Sequence, residues 1–263
     1  MGVLHGMCAE DSRAAAAVAV PFLIRVATDI HHPHQAEALG VLAGPARARH
    51  FGVASRDEFL LHRAGTQHDV LDDYDDYGVE VTGYPAGWSV AAARAALTTE
   101  TPALLPLLHD PDPTIRIDAA YTLATTADPD RTVRTALATR LTTEQDPLVR
   151  AAQVLATAEL TRAHPHPPTT TWIRERWHNR TQPPEVRLAA AIGWLCLTDE
   201  PAPDALHATV DALATDERAH AMDALPWMTA AAGTGEPGLL RCVRRMLRSD
   251  EPEPNDDPWA PLP

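Results

Sequence analysis

Residues 110–127 read DPDPTIRIDAAYTLATTA, and the fold turns on how this stretch is read. Pro113-Thr114-Ile115-Arg116 opens a helix, and the same opening returns as Pro147-Leu148-Val149-Arg150 and Pro184-Glu185-Val186-Arg187, first 34 and then 37 residues further on. Proline suits the first helical turn because the N–H it lacks would have had no intrahelical acceptor there. Recurrence at this period marks an array of stacked structural repeats. Counted from the shared arginine, the residue before it is Ile115, Val149 or Val186, and the fourth after it is Ala120, Val154 or Ala191. The fifth is Tyr121, Leu155 or Ile192, and the eighth is Ala124, Ala158 or Leu195. These offsets put one apolar stripe on one face of each helix.

A further helix precedes each opening, expected over 101–109, 131–145 and 170–180. Each unit is then a helical hairpin of roughly thirty-odd residues, too small to bury its apolar face without neighbours. Alanines and Gly193 inside the stripe let adjacent helices come close. The Trp, Leu-Gly and Tyr spacing of tetratricopeptide units is missing, as is the Thr-Pro-Leu-His of ankyrin units.

What remains, Asp-Pro-x-[Ile/Val]-Arg-x-x-Ala-x-x-x-Leu-Ala, resembles the short bacterial HEAT repeat, a type also found in phycobilisome-lyase-like proteins. The resemblance runs over 101–127, 131–160 and 170–197, and it weakens over 203–232, where Asp216-Glu217-Arg218 stands at the opening without its proline. Residues 19–29 are similar to the first helix of such a unit. The resemblance implies an all-α fold, a right-handed α-solenoid of about five HEAT-type hairpins. It also implies a structural ladder between neighbouring repeats, made by Asp112, Arg116, Asp146, Arg150 and Arg187. Gln182-Pro183 departs from that pattern in the third unit.

The organisation expected is a single domain over 1–248 with an irregular acidic insertion at 49–85, followed by a disordered acidic, proline-rich tail at 249–263. A hydrophobic fraction of 45% with 5% aromatics points to an Ala/Leu/Val core. All 22 basic residues are arginine, and this lysine-free, Ala/Pro/Thr-rich composition suggests a GC-rich, actinobacterial type of source. The net charge of −14 is concentrated. Asp69, Asp72, Asp73, Asp75, Asp76 and Glu80 lie in one run, and Asp250, Glu251, Glu253, Asp256 and Asp257 lie in the tail. The repeat body is therefore nearly neutral, which disfavours nucleic acid, since phosphate contacts need a concentrated positive surface. Cys8, Cys196 and Cys242 are dispersed and read as small apolar residues of a reducing compartment. Without a leader pattern or a stretch approaching the ~20 apolar residues of a membrane helix, a cytoplasmic protein is expected.

The chemical motifs are weak. His31, His32 and His34 share a turn with Pro33 and have no cysteine or carboxylate at ligand spacing, so no metal is assigned. An EF-hand reading with Gly78 at the sixth position puts Tyr77 at the fifth and Tyr84 at the twelfth, where oxygen ligands are needed. Gly87-Trp88-Ser89-Val90-Ala91 falls one residue short of a nucleophile elbow and lacks the strand before it, which places Ser89 in the first turn of a helix. The His-Glu pairs of the di-iron members of the HEAT fold are absent. In residues 172–180, WIRERWHNR, aromatic and basic residues interleave. The plain reading puts Ile173 and Trp177 in the core and the arginines in water; the other is stacking on bases. Arg241, Arg244, Arg245 and Arg248 make a basic face on the last helix, either solvated or covered by the acidic tail.

The function expected is non-catalytic: a protein–protein interaction scaffold, adaptor or inhibitory partner, monomeric, with no cofactor and no catalytic residue. The alternative is a ligand-modifying enzyme of lyase-like type, and third a nucleic-acid-binding protein. The candidate docking site for a basic protein partner is Asp72, Asp73, Tyr74, Asp75, Asp76, Tyr77, Glu80, Tyr84 and Trp88, where aromatics anchor and carboxylates steer. The plain alternative is a solvated loop that keeps the molecule soluble.

Overall fold

The computed structural model describes residues 13–47, 54–60, 88–128 and 131–248. The described residues are helical and contain no β-strand beyond one isolated bridge, Gly233 to Glu236. In chain order the helices are α1 (Arg13–Ala27), α2 (Gln35–Leu42), α3 (Trp88–Thr99), α4 (Thr101–Leu104), α5 (Pro113–Leu123), α6 (Thr132–Leu141) and α7 (Pro147–Ala163). Then follow α8 (Pro167–His178), α9 (Pro184–Leu197), α10 (Asp204–Leu213), α11 (Asp216–Met222), α12 (Pro226–Ala231) and α13 (Gly238–Leu247). Short 3₁₀ turns occupy Gly44–Ala46 and Leu105–His109. Among the described residues no helix is long and apolar enough to cross a membrane.

The three proline openings each start a helix. Asp112 accepts the Thr114 N–H at 2.8 Å ahead of α5, and Asp146 accepts those of Leu148 and Val149 at 2.8 and 3.1 Å ahead of α7. Each aspartate satisfies backbone donors that have no intrahelical partner, and stabilises its helix start by about 1 kcal/mol. At α9 the equivalent place is Pro183, which offers no such cap. α6 starts at Thr132 because Arg131 takes the left-handed conformation (φ 58°), while the Asp128 carboxylate collects the Val133 and Arg134 N–H groups.

Helices α5, α7 and α9 lie side by side in that order. The Leu105–His109 turn packs on α5, α6 on α7, and α8 on α9. Gly193 lets α9 come close to α7: an added Cβ there would stand 3.0 Å from that of Ala158.

Some expected bounds shift. Residues 101–109 split into α4 and a 3₁₀ turn, and residues 54–60 form turns and bends. Pro21 lies inside the continuous α1.

Helix α7 does not leave a solvent face. Val149 and every residue from Ala151 to Arg162 are buried, whereas a helix in a single row exposes its outer stripe. The covering comes from distant parts of the chain. Residues 44–47 and 54–60 run against α3, α7 and α13, and α12 returns to pack on α5. Trp227 of α12 is 2% exposed and reaches Glu159 of α7.

Candidate functional site

The arginines of the first two openings reach forward, Arg116 to Glu144 and Arg150 to Gln182. Arg116 gives Nε to Glu144 Oε2 at 2.9 Å and Nη2 to Oε1 at 3.2 Å, a two-pronged grip. Its Nη1 donates to the carbonyls of Asp110 and Pro111. Arg140 closes on the same carboxylate, Nη2 to Oε2, at 2.8 Å. Glu144 is thus held by two arginines and by the N–H groups of Gln145 and Asp146, and its pKa falls below the usual range despite burial. The carboxylates expected in this ladder, Asp112 and Asp146, are instead occupied as helix caps. A short Asp side chain at the N-cap folds back on its own helix, and the longer Glu144 spans the gap.

The next rung is built differently. Arg150 donates Nη2 to Gln182 Oε1 at 2.7 Å, while its buried Nε finds no acceptor. Arg176 lies near, its guanidinium 4.6 Å from the centroid of the Trp172 ring, and its pKa is lowered by burial and then by the charge of Arg150. One step on, Arg187 donates Nε to the carbonyl of Trp177 at 3.1 Å and approaches Thr209 Oγ1 at 3.4 Å. Its pKa is likewise lowered, by burial and then by Arg180. Among the described residues no carboxylate oxygen lies within 4.0 Å of these four guanidinium groups. The final unit is neutralised again, by Arg218 on Glu185 at 3.3 Å. Arg150, Arg176, Arg180 and Arg187 therefore form a cationic edge where α7 and α9 begin and α8 ends, with Glu175 opposing the effect of Arg150 on Arg176 but bonded to none of the four.

The interior holds a second polar cluster. Glu159, fully buried, receives Arg47 through Nη2 at 2.8 Å and Nη1 at 3.1 Å, and the Trp227 indole N–H at 2.6 Å. The Arg47 guanidinium lies 3.6 Å from the Tyr121 ring centroid, and Tyr121 and Trp227 meet edge to face at 4.7 Å. Arg94 stands beside them, Nε on the Ala46 carbonyl at 2.8 Å, with its pKa lowered by burial against the opposing pull of Glu159. Every link here joins separate elements, which marks the cluster as structural. Asp118, on the α5 face toward Gly40 of α2, has its pKa raised to about 6, by burial first and then by Asp112.

At the opposite end of α7, α8 and α9 a cleft of about 400 Å³ opens between Arg162, His166, Thr170, Arg174, Trp194 and Glu200. Arg174 faces Trp194 at 5.9 Å. Arg162 is committed to the carbonyls of Arg56 and Cys196, both at 2.6 Å, and the Thr161 hydroxyl to that of Thr157 at 2.7 Å. His166 Nδ1 lies 2.7 Å from Thr169 Oγ1.

Of the sequence-predicted docking residues, only Trp88 is described: it begins α3 and is half-buried. Asp72, Asp73, Tyr74, Asp75, Asp76, Tyr77, Glu80 and Tyr84 lie outside the described residues, as does the tail at 249–263. Ser89 is buried in the first turn of α3. His34 pairs with Glu37 at 2.7 Å, and among the described residues no three metal-binding side chains converge. In α8, Ile173 and Trp177 are fully buried and Arg174 is exposed. The basic face of α13 is partly neutralised, by Arg244 on Glu236 at 2.7 Å and Arg248 on Asp211 at 2.6 Å.

Sequence reasoning missed Glu159 and the role of Gln182. The signal for Glu159 is a lone carboxylate inside the apolar run of α7, whereas Gln182, two residues before Pro184 where Glu144 stands three before Pro147, is out of register and carries none. Compared with known protein families, characterised proteins and solved structures, the chain matches none.

Proposed function

We propose that the protein is a non-catalytic protein-interaction module, an adaptor or inhibitory partner built on HEAT-type helical hairpins. The observation that carries this reading is the cationic edge of Arg150, Arg176, Arg180 and Arg187, with Arg176 and Arg187 half-buried beside like charges. Like charges held together work against folding, and the return comes from a partner of opposite sign. The buried carboxylates Glu144 and Glu159, by contrast, are engaged in joining separate elements of the fold. The acidic run 69–80, with its aromatics, is proposed as a second surface, for a basic partner.

The test is residue-resolved cross-linking of the protein to its neighbours in the native host. Cross-links should gather around the start of α9 and be lost in Arg180→Glu/Arg187→Glu, a change of exposed and half-buried residues that leaves the core intact. Cross-links scattered evenly over the surface, or unchanged in that variant, would refute the reading. The alternative, a ligand-modifying enzyme, draws on the cleft beside Arg174 and Trp194. It predicts a small molecule that raises the melting temperature of the wild type and not of Trp194→Ala.

A further inference from the structure

Two successive rungs use the same arginine and end differently. Glu144 sits between Arg116 and Arg140 and takes both Nε and Nη2 of Arg116. At the next rung Arg150 meets a neutral Gln182 where Arg116 meets a carboxylate. An amide offers one acceptor oxygen where a carboxylate offers two, so Arg150 bonds through Nη2 alone and its buried Nε is left without an acceptor. Gln182 is half-buried and follows the end of α8, at the rim rather than in the core. The Arg176 guanidinium lies over the Trp172 ring, 4.6 Å from its centroid, a contact that guanidinium groups favour.

We propose that the second rung is a binding site for a carboxylate side chain of an acidic segment on a partner protein, which takes Arg150 as Glu144 takes Arg116, with the charge of Arg176 nearby. The ligand class follows from the sister rung: the geometry that the chain itself closes with a glutamate is one a glutamate or aspartate of another chain completes. Arg180 and Arg187, on the same edge, extend the site for flanking acids. The inference rests on the protein-binding reading for the identity of its occupant, and adds the atoms that recognise it.

The experiment uses the full chain and a fluorescent oligoglutamate peptide, followed by anisotropy at low salt, with oligoglutamine as the neutral control. Gln182→Glu supplies the missing carboxylate in cis. It should weaken oligoglutamate binding roughly ten- to a hundredfold, the worth of a charge-assisted pair, and raise the melting temperature. Arg176→Gln should weaken binding comparably, and Arg25→Gln, on the exposed side of α1, should not change it.

Oligoglutamate that fails to bind the wild type, or binds Gln182→Glu equally well, overturns the proposal. So does a Gln182→Glu protein that melts lower than the wild type, because the site is then not shaped for a carboxylate. Inorganic phosphate or single-stranded RNA that binds in a Gln182→Glu-sensitive way while oligoglutamate does not would reassign it to phosphate. Concentration-dependent self-association, lost in Gln182→Glu, would reassign the occupant to a second copy. If cross-links fail in Arg180→Glu/Arg187→Glu yet persist in Gln182→Glu, the scaffold reading stands and this site falls.

Discussion

Replacing Glu159 by alanine tests the interior most directly. The carboxylate is fully buried, and its loss leaves the Arg47 guanidinium, 8% exposed, without its counter-charge and the Trp227 N–H without its acceptor. Removing one member of a buried ion pair costs about 3–5 kcal/mol, because the other charge stays desolvated. An orphaned buried donor adds about 1–3 kcal/mol. Arg94, already destabilised as a cation by burial, loses the charge that opposes that shift. The sum is a large part of the ~5–15 kcal/mol that holds a typical domain together. Because a chain of this size shifts by ~2–4 °C per kcal/mol, Tm should fall by roughly 10–25 °C. Urea unfolding followed by circular dichroism, with the m-value checked against wild type, separates a real loss of stability from a change in the unfolded state. The double variant Arg47→Met/Glu159→Leu removes both charges and should recover most of the loss. A Glu159→Ala protein that melts within ~2 °C of wild type would refute the account of this network, as would a double variant no better than the single one.

Other expectations follow from single sites. Asp118 holds its proton up to about pH 6 when folded, against 3.8 for an ordinary aspartate. The folded chain is thus protonated in that window where the unfolded chain is ionised, and stability falls as pH rises from ~4 to ~6 and then levels. Asp118→Asn should flatten this slope and raise neutral-pH stability on the order of 2 kcal/mol, read by melting across a pH series. Burial pushes the Cys196 thiol up to about 12 and Cys242 well above its normal range, so both should resist iodoacetamide at pH 8 and react only in denaturant, by mass spectrometry. Gly238→Ala would set its Cβ 1.8 Å from the Met228 carbonyl oxygen, a backbone clash that forces α12 and α13 apart. It should lower stability by ~2–4 kcal/mol and free Cys242 first in thiol labelling, whereas uniform labelling of both cysteines would argue against a local effect.

The sequence by itself determined where the central helices begin and which residues face inward. Asp112-Pro113 and Asp146-Pro147 announce helix starts because capping and the fixed φ of proline act within a few residues, without tertiary help. Ile115 and Ala120, named from their spacing alone, are buried on α5 while Thr114 and Asp118 are not, since one helical period decides which side chains share a face. Val154, Leu155, Ala191 and Ile192 are buried too, on helices whose neighbouring positions are buried as well. The arginines of the openings were legible as inter-hairpin contacts, but not their acceptors. Glu144 lies 28 residues from Arg116 and Gln182 lies 32 from Arg150, in stretches with no periodic signature. Only the tertiary structure decided that α7 is covered on every side. Arg47 and Trp227 reach Glu159 across 112 and 68 residues of chain. A pair formed at such separation depends on the closure of the whole fold around it, and local propensity has no term for a partner that arrives from the other end of the chain.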